Sequence, residues 1–245
     1  MKKIYIIALG FLTLVSSCKN VLDIEDLESL DEEKVWQDPN LINAYMANLY
    51  TLFGNWSAEA DENSEQLLGI QFALNAVTPT SSNYKSWNYT QIRKINTAIQ
   101  KVTESTVLAE DLKNTILGEG YFLRAFSYFN MLRMHGGIPY ITVPQQVSDE
   151  DLNSPRNSTK ETFELLVKDL DEAIKLLPET IDKSSDDYGR IDGNFALAFK
   201  AKVLLYKASP QFNPSNPYDN TYWKEAQAAN KAAYQQLLDN GYALT

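Results

Sequence analysis

Cysteine and histidine are the scarcest residues of this chain, whose 245 residues include one of each. One cysteine cannot build an internal disulfide framework, and the two residues together cannot supply the ligands of a usual zinc site. We therefore expect no metal site, no cofactor and no thiol chemistry. The hydrophobic fraction of 44% and the aromatic fraction of 11% are sufficient for a sizeable core, so the chain is expected to fold.

Positive charge is also scarce, since 32 Asp and Glu residues outnumber 22 Lys and Arg residues and the formal net charge is -10. The chain has no basic block beyond Lys2 and Lys3. An acidic surface repels the phosphate backbone of DNA and RNA. We therefore expect no binding to nucleic acid.

Long hydrophobic runs are missing as well. The uncharged, mostly apolar stretch from Ile4 to Val15 has twelve residues, which as a helix would cover roughly 18 Å of a hydrocarbon core about 30 Å thick. It follows Lys2 and Lys3, as the apolar region of a secretory leader follows its positive start. Residues 1–17 are therefore predicted to be a signal peptide that is removed, and not a membrane anchor.

The single cysteine stands where a lipid anchor would be attached. Val15, Ser16 and Ser17 precede Cys18, and this stretch resembles the bacterial lipoprotein signal. Cleavage at such a signal leaves Cys18 as the N-terminus, carrying acyl chains such as palmitate that insert into a membrane leaflet. The alternative is an ordinary secreted protein with a free cysteine. Residues 18–39 are acidic and thinly hydrophobic, which predicts a tether, with Trp36 as its docking point.

Residues 40–245 show the helical period repeatedly, and we predict an all-α domain of tetratricopeptide-like helical hairpins with long irregular loops. A generic helical bundle would give a similar pattern. Ser158 and Glu161 form a predicted capping box, and Gly136 and Gly137 end a long helix. The predicted helices cover residues 41–53, 87–102, 112–134, 158–177, 195–209 and 222–238, with residues 138–143 extended.

Several motifs are more specific than the helical period. Residues 118–129 read GEGYFLRAFSYF and are followed by HGGIPY at residues 135–140. With the leader, this order of segments resembles the SusD/RagB family of surface glycan-binding lipoproteins. Further matches to the family pattern are Val21-Leu22-Asp23, Trp36, Tyr50, Trp87, Tyr89, Ile92, Asn96, Arg156, Ser158, Asp169 to Ala173, Leu177-Pro178 and Gly189-Arg190.

The resemblance implies a function. Family members are outer-membrane lipoproteins, displayed outward, that lie on a SusC-type TonB-dependent transporter and pass captured oligosaccharide or another nutrient into it. They are not enzymes. They usually run about twice as far as this chain, so the resemblance implies an N-terminal portion with the C-terminal half apparently absent. The alternative is a scaffold that docks on the transporter through protein contacts and has no ligand site of its own.

Candidate ligand-binding residues lie in or beside the irregular segment at residues 55–83. Glycan binding needs flat aromatic faces against the C–H surface of the sugar and polar side chains around its hydroxyl groups. Trp56 has the alternative of folding back into its own loop, and Trp87 is expected to pack in the core. The candidates are Asn55, Trp56, Asn83, Tyr84 and Lys85.

Two further polar residues have structural interpretations. Arg124 lies in an apolar helix and is predicted to pair with a buried carboxylate, either Glu119 or one from a neighbouring helix. His135 is interpreted as the end of that helix and not as a catalytic base, because no nucleophile motif accompanies it. The loop acids Glu62, Asp186 and Asp187 do not predict a glycosidase pair, since nothing places two of them together.

Overall fold

The computed structural model describes residues 32–53, 87–149 and 152–243. It divides the chain into two compact units, Met1–Val35 and Trp36–Thr245. The described part of the first unit is the short helix Glu32–Val35.

The second unit is built from helices joined by irregular chain. The described residues contain no strand, which confirms the all-α prediction, and residues 138–143 lie outside any helix. The helices are α1 (Pro39–Leu49), a 3-10 helix that we call η1 (Tyr50–Phe53), α2 (Tyr89–Glu104), α3 (Glu110–His135), α4 (Thr159–Leu176), α5 (Gly193–Ala208) and α6 (Tyr222–Asp239).

Local signals explain where the helices begin and end. Ser158 and Glu161 form the predicted capping box at the start of α4, each satisfying a backbone N–H of the other. At the end of α3, Gly136 has φ of 71°, a left-handed conformation that a residue with a Cβ atom rarely adopts. These boundaries were predictable because capping depends on neighbouring residues alone.

Packing follows the order of the chain. α2 packs on α3, α3 on α4, α4 on α5 and α5 on α6, while α1 and η1 lie against α3. Stacking of each helix on the next is what helical-hairpin arrays do. The close approach of α2 and α3 depends on Gly120, because a Cβ atom there would lie 2.8 Å from Cγ1 of Ile99.

Trp36 begins the second unit and is nearly buried, with 8% of its surface exposed. Its ring packs on that of Tyr45 in α1, with centroids 4.9 Å apart. This is the docking that was predicted for Trp36. None of the helices described in residues 32–53, 87–149 and 152–243 combines the length and the apolar character that crossing a membrane requires.

Candidate functional site

The predicted ligand-binding residues belong to the stretch between Phe53 and Trp87. Both bounding residues are described, but the stretch itself is not, and neither is the predicted lipidation residue. The roles assigned from the sequence therefore stay predictions for Asn55, Trp56, Asn83, Tyr84, Lys85 and Cys18.

A cavity of about 430 Å³ lies between η1, the start of α2 and the second half of α3, and we call it the α2–α3 cavity. Its volume is within the range of small-ligand sites. Two wall residues, Phe53 and Asn88, are two and three positions in sequence from the predicted ligand residues Asn55 and Lys85. Its polar wall consists of Asn88, Ser127, Asn130 and Arg133, and its apolar wall of Leu52, Phe53, Phe126 and Met134.

The polar wall offers hydrogen-bonding groups that the described part of the protein does not fully use. Ser127 is 3% exposed, and its hydroxyl has no hydrogen-bond partner among the described residues. The side chain of Asn88 makes no capping bond to α2. Nη2 of Arg133 donates to Oδ1 of Asn130 at 3.0 Å, which fixes the two side chains relative to each other. A ligand rich in hydroxyl groups would therefore find several polar partners.

Trp87 directly precedes the cavity residue Asn88 in the sequence, and its predicted place in the core is wrong. Trp87 is 49% exposed. The prediction rested on the phase of Trp87 with Ile95 in one helix, but α2 begins at Tyr89, so the helical phase does not extend to Trp87.

The ring of Trp87 is held by two aromatic neighbours. It stacks on His135 with centroids 4.4 Å apart and an interplanar angle of 11°, and on Tyr89 at 6.1 Å and 17°. His135 is the last residue of α3, as predicted. Arg156 fixes this corner, because its guanidinium donates to the carbonyl oxygens of His135 and Gly137. An exposed ring with this support loses little freedom when a ligand stacks on it.

The predicted buried pair of Arg124 is confirmed, and its partner comes from the neighbouring helix. Nε and Nη2 of Arg124 donate to the two carboxylate oxygens of Asp169 in α4, at 2.7 and 2.6 Å. Burial lowers the pKa of Arg124, but the hydrogen bonds and charge of Asp169 more than offset it, so the pKa is raised. Asn96 and Tyr140 complete the cluster, bonding to Arg124 and Asp169 respectively.

Glu119, the other partner considered for Arg124, is bound to a different arginine. Nε and Nη2 of Arg190 donate to the two oxygens of Glu119 at 2.7 Å each. The hydroxyl of Tyr50 also donates to Glu119, at 2.7 Å, and accepts from the backbone N–H of Ile191 at 3.0 Å. Burial, and then the charge of Glu119, raise the pKa of Tyr50. This cluster ties η1 to the loop before α5.

A larger cavity, of about 630 Å³, lies on the other side of Phe53, between η1, the start of α5 and the end of α6. We call it the α5–α6 cavity. The Arg190–Glu119 cluster forms one of its edges, and Phe53 lines both cavities. No motif predicted this site, because its walls come from segments up to about 190 residues apart in the chain.

The buried carboxylates of the described helices are held by arginines. Asp169 and Glu119 are each bound by two nitrogen atoms of an arginine, so both acids have structural partners. No group of three His, Cys, Asp or Glu residues among the described residues is placed to hold a metal ion.

A family model described as "Starch-binding associating with outer membrane" matches residues 16–205 of the chain. The chain belongs to the SusD-like family. The match includes Cys18, the two helices around the α2–α3 cavity and the Arg124–Asp169 pair.

Individual SusD-like proteins are similar over most of the chain. SusD-like protein P38 of Formosa agariphila is 30% identical over 266 residues, an alignment that covers 100% of this chain and 48% of the relative. A SusD-like protein of Bacteroides ovatus is 28% identical over 57% of this chain and 25% of its own length. The chain thus spans half or less of the curated relatives it matches.

The fold has solved counterparts. A SusD-like protein from Bacteroides fragilis matches with a TM-score of 0.67 and 23% identity, over 88% of this chain and 40% of the other. A laminarin-binding SusD-like protein matches with a TM-score of 0.55 and 24% identity, over 75% of this chain and 45% of the other. At these identities the likeness shows the fold, and it confirms the SusD-like arrangement of tetratricopeptide-like hairpins.

Proposed function

We propose that this protein is a cell-surface lipoprotein that captures oligosaccharide or a similar nutrient and delivers it to a SusC-type TonB-dependent transporter of the outer membrane. The observation that carries the proposal is the match of residues 16–205 to a family described as starch-binding and associated with the outer membrane. In this proposal the protein binds its ligand and does not transform it.

The α2–α3 cavity supports glycan capture through its chemistry. Next to the cavity residue Asn88 in the sequence, Trp87 offers a half-exposed aromatic ring, and such rings pack against the C–H surface of a sugar. Ser127, Asn130 and Arg133, which line the cavity, offer polar groups for the hydroxyl groups of the sugar. We propose that residues from both ends of the neighbouring stretch complete this site, namely Asn55, Trp56, Asn83, Tyr84 and Lys85.

Membrane attachment is proposed to come from acyl chains on Cys18. The chain is strongly acidic, with a formal net charge of -10, so it would not adhere to anionic lipid by charge alone. An acyl anchor would hold the protein at the membrane without favourable charge, because each methylene buried in the bilayer contributes about 0.8 kcal/mol to membrane binding. The helical stack supports the transporter partnership, since stacked hairpins present an extended surface to a protein partner.

The test is glycan binding by the purified full chain, first on a glycan array and then by calorimetry with maltoheptaose and laminarihexaose. We expect Trp87→Ala and Trp56→Ala each to weaken binding about tenfold, the usual worth of one stacking ring. Tyr218→Ala is the matched control, because Tyr218 is 84% exposed and lines neither cavity.

Two outcomes count against capture. Equal affinity for wild type and Trp87→Ala would contradict the proposed stacking of a sugar on Trp87. A folded protein that binds no glycan, but still co-purifies with a large outer-membrane barrel, would favour the docking scaffold without a ligand site.

A further inference from the structure

We propose that the α5–α6 cavity is a second saccharide-binding site, for a neutral sugar unit, in addition to the site at the α2–α3 cavity. The cavity is the larger of the two, at about 630 Å³. Three observations carry the proposal: the exposed aromatic walls, a buried amide with an incomplete hydrogen bond, and a carboxylate at the rim.

Three large aromatic side chains line the cavity while remaining open to solvent. Tyr188 is 58% exposed, Phe195 is 50% exposed and Tyr242 is 47% exposed. Phe195, near the start of α5, packs on Phe122 with ring centroids 5.4 Å apart. Exposed apolar surface gathered in one place marks a site that binds a ligand or another molecule.

The buried amide belongs to Asn194, which is 0% exposed and lines the cavity. Its Oδ1 accepts from Nε2 of Gln236 and from Nδ2 of Asn240, at 3.2 and 3.1 Å. Nδ2 of Asn240 also donates to the carboxylate of Glu179, which can only accept, so the orientations of both amides follow. Nδ2 of Asn194 lies near the hydroxyl of Tyr242, but it makes no hydrogen bond of normal geometry with any described residue.

A buried donor with an incomplete hydrogen bond costs free energy, because it has lost its water and gained little in return. An ordered water or a ligand oxygen can complete such a group. The incompletely bonded amide of Asn194 therefore favours a ligand that carries a hydrogen-bond acceptor.

The carboxylate of Asp192 supplies a hydrogen-bond acceptor at the same cavity. It caps α5 by accepting from the backbone N–H of Phe195 at 2.7 Å, and it accepts from the hydroxyl of Tyr242 at 3.3 Å. Each carboxylate oxygen has a second lone pair, so Asp192 can also accept from a ligand hydroxyl.

The amide, the carboxylate and the aromatic rings of the cavity together favour a neutral sugar as the ligand. Hydroxyl groups both donate and accept, which matches the donor at Asn194 and the acceptor at Asp192. Aromatic rings match the C–H faces of a pyranose. An acidic ligand fits poorly, because Asp192 would repel it and the guanidinium of Arg190 is already bound by Glu119 and Asp187.

Calorimetry on the purified full chain, with maltoheptaose and laminarihexaose as probes, tests the second site. We expect Tyr188→Ala and Phe195→Ala each to weaken binding about tenfold, as loss of a stacking ring does. Tyr218→Ala, the exposed control outside both cavities, is expected to bind as wild type does. Melting curves of all variants show that each remains folded.

A second readout reports on Asn194 directly. Its side-chain NH2 signals, assigned from their loss in Asn194→Ala, are expected to shift in 15N-edited spectra on addition of the probe that binds. The side-chain amide of Gln235 is the control, because it is exposed and donates to Asp239. Unshifted Asn194 signals at saturation would overturn the proposal.

The outcomes separate this site from the proposed function. If Trp87→Ala weakens binding while Tyr188→Ala and Phe195→Ala leave it unchanged, the second site is wrong and glycan capture stands. If the two α5–α6 variants weaken binding and Trp87→Ala does not, the second site stands alone. A folded wild type that binds neither probe nor any glycan of an array contradicts both.

Discussion

The two buried arginine–carboxylate pairs have the same chemistry in different surroundings. Arg124 and Asp169 are sealed between α3 and α4, with side chains 5% and 8% exposed. In the other pair Glu119 is 0% exposed, but Arg190 is 23% exposed and borders the α5–α6 cavity. The first pair joins two helices of the stack, whereas the second joins a loop and η1 to it. We infer that the sealed pair supports the fold and the open pair shapes a cavity wall.

The largest effect is expected from Arg124→Met. The change leaves the carboxylate of Asp169 buried without its cation, which costs about 3–5 kcal/mol of folding free energy. Thermal and urea unfolding measure the loss. The double variant Arg124→Met/Asp169→Leu is the control and should recover much of it, because it removes the stranded charge. An unchanged melting temperature in Arg124→Met would contradict the sealed pair.

A smaller loss of folding free energy, of about 2 kcal/mol, is expected from Arg190→Met. Glu119 keeps the hydroxyl of Tyr50 as a donor, and water reaches the position of the guanidinium because Arg190 is partly exposed. Urea unfolding measures the change, and Arg190→Lys should restore part of it. A loss equal to that of Arg124→Met would remove the distinction between the two pairs.

Alkaline pH tests both clusters through their tyrosines. Burial, and then the nearby carboxylate, raise the pKa of Tyr140 beside Asp169 and of Tyr50 beside Glu119. Above a pH of about 10 the unfolded chain releases these protons first, so stability falls with rising pH, by up to about 1.4 kcal/mol per pH unit and tyrosine.

Unfolding followed at several alkaline pH values measures that slope, and Tyr50→Phe and Tyr140→Phe should each reduce it. Tyrosinate absorbance provides the check, since the two tyrosines should ionise after the exposed ones. A stability that is constant above pH 10 would contradict the burial of both hydroxyl groups.

The smallest effect is expected at a pair that lies near the surface. Lys200 and Asp171 form an ion pair with side chains 25% and 52% exposed. Replacing Lys200 by Met should change the folding free energy by about 1 kcal/mol or less, because solvent screens the charges. A loss of folding free energy as large as that of Arg190→Met would show that solvent exposure does not determine how much each ion pair contributes to stability.

Helices and their ends were predictable from the sequence because they depend on residues close in the chain. The period of three and four located α3 and α4, and Ser158 with Glu161 located the start of α4. The prediction for Trp87 was wrong because its helical phase was extended past the start of α2 at Tyr89, where the N-cap residue Asn88 makes no side-chain capping bond.

Contacts between residues that are distant in the sequence were harder to predict. Asp169 lies on the apolar stripe of α4 between Leu166 and Leu170, and this acid among buried positions was an available signal for the partner of Arg124. The pairing of Glu119 with Arg190, which lies 71 residues away, had no comparable signal. The candidate ligand residues at 55–85 lie outside the described residues, and their roles remain predictions.

By itself, the sequence determined the helical class, the capping of α4, the burial of Arg124 and the resemblance to SusD-like lipoproteins, since periodicity, caps and motifs are local. The tertiary structure alone decided which carboxylate each arginine binds and that the half-exposed ring of Trp87 stacks on His135. It also brought Asp192, Asn194 and three aromatic rings together at one cavity. These features depend on the stacking of helices distant in the chain, and stacking sums many weak contacts that no short segment specifies.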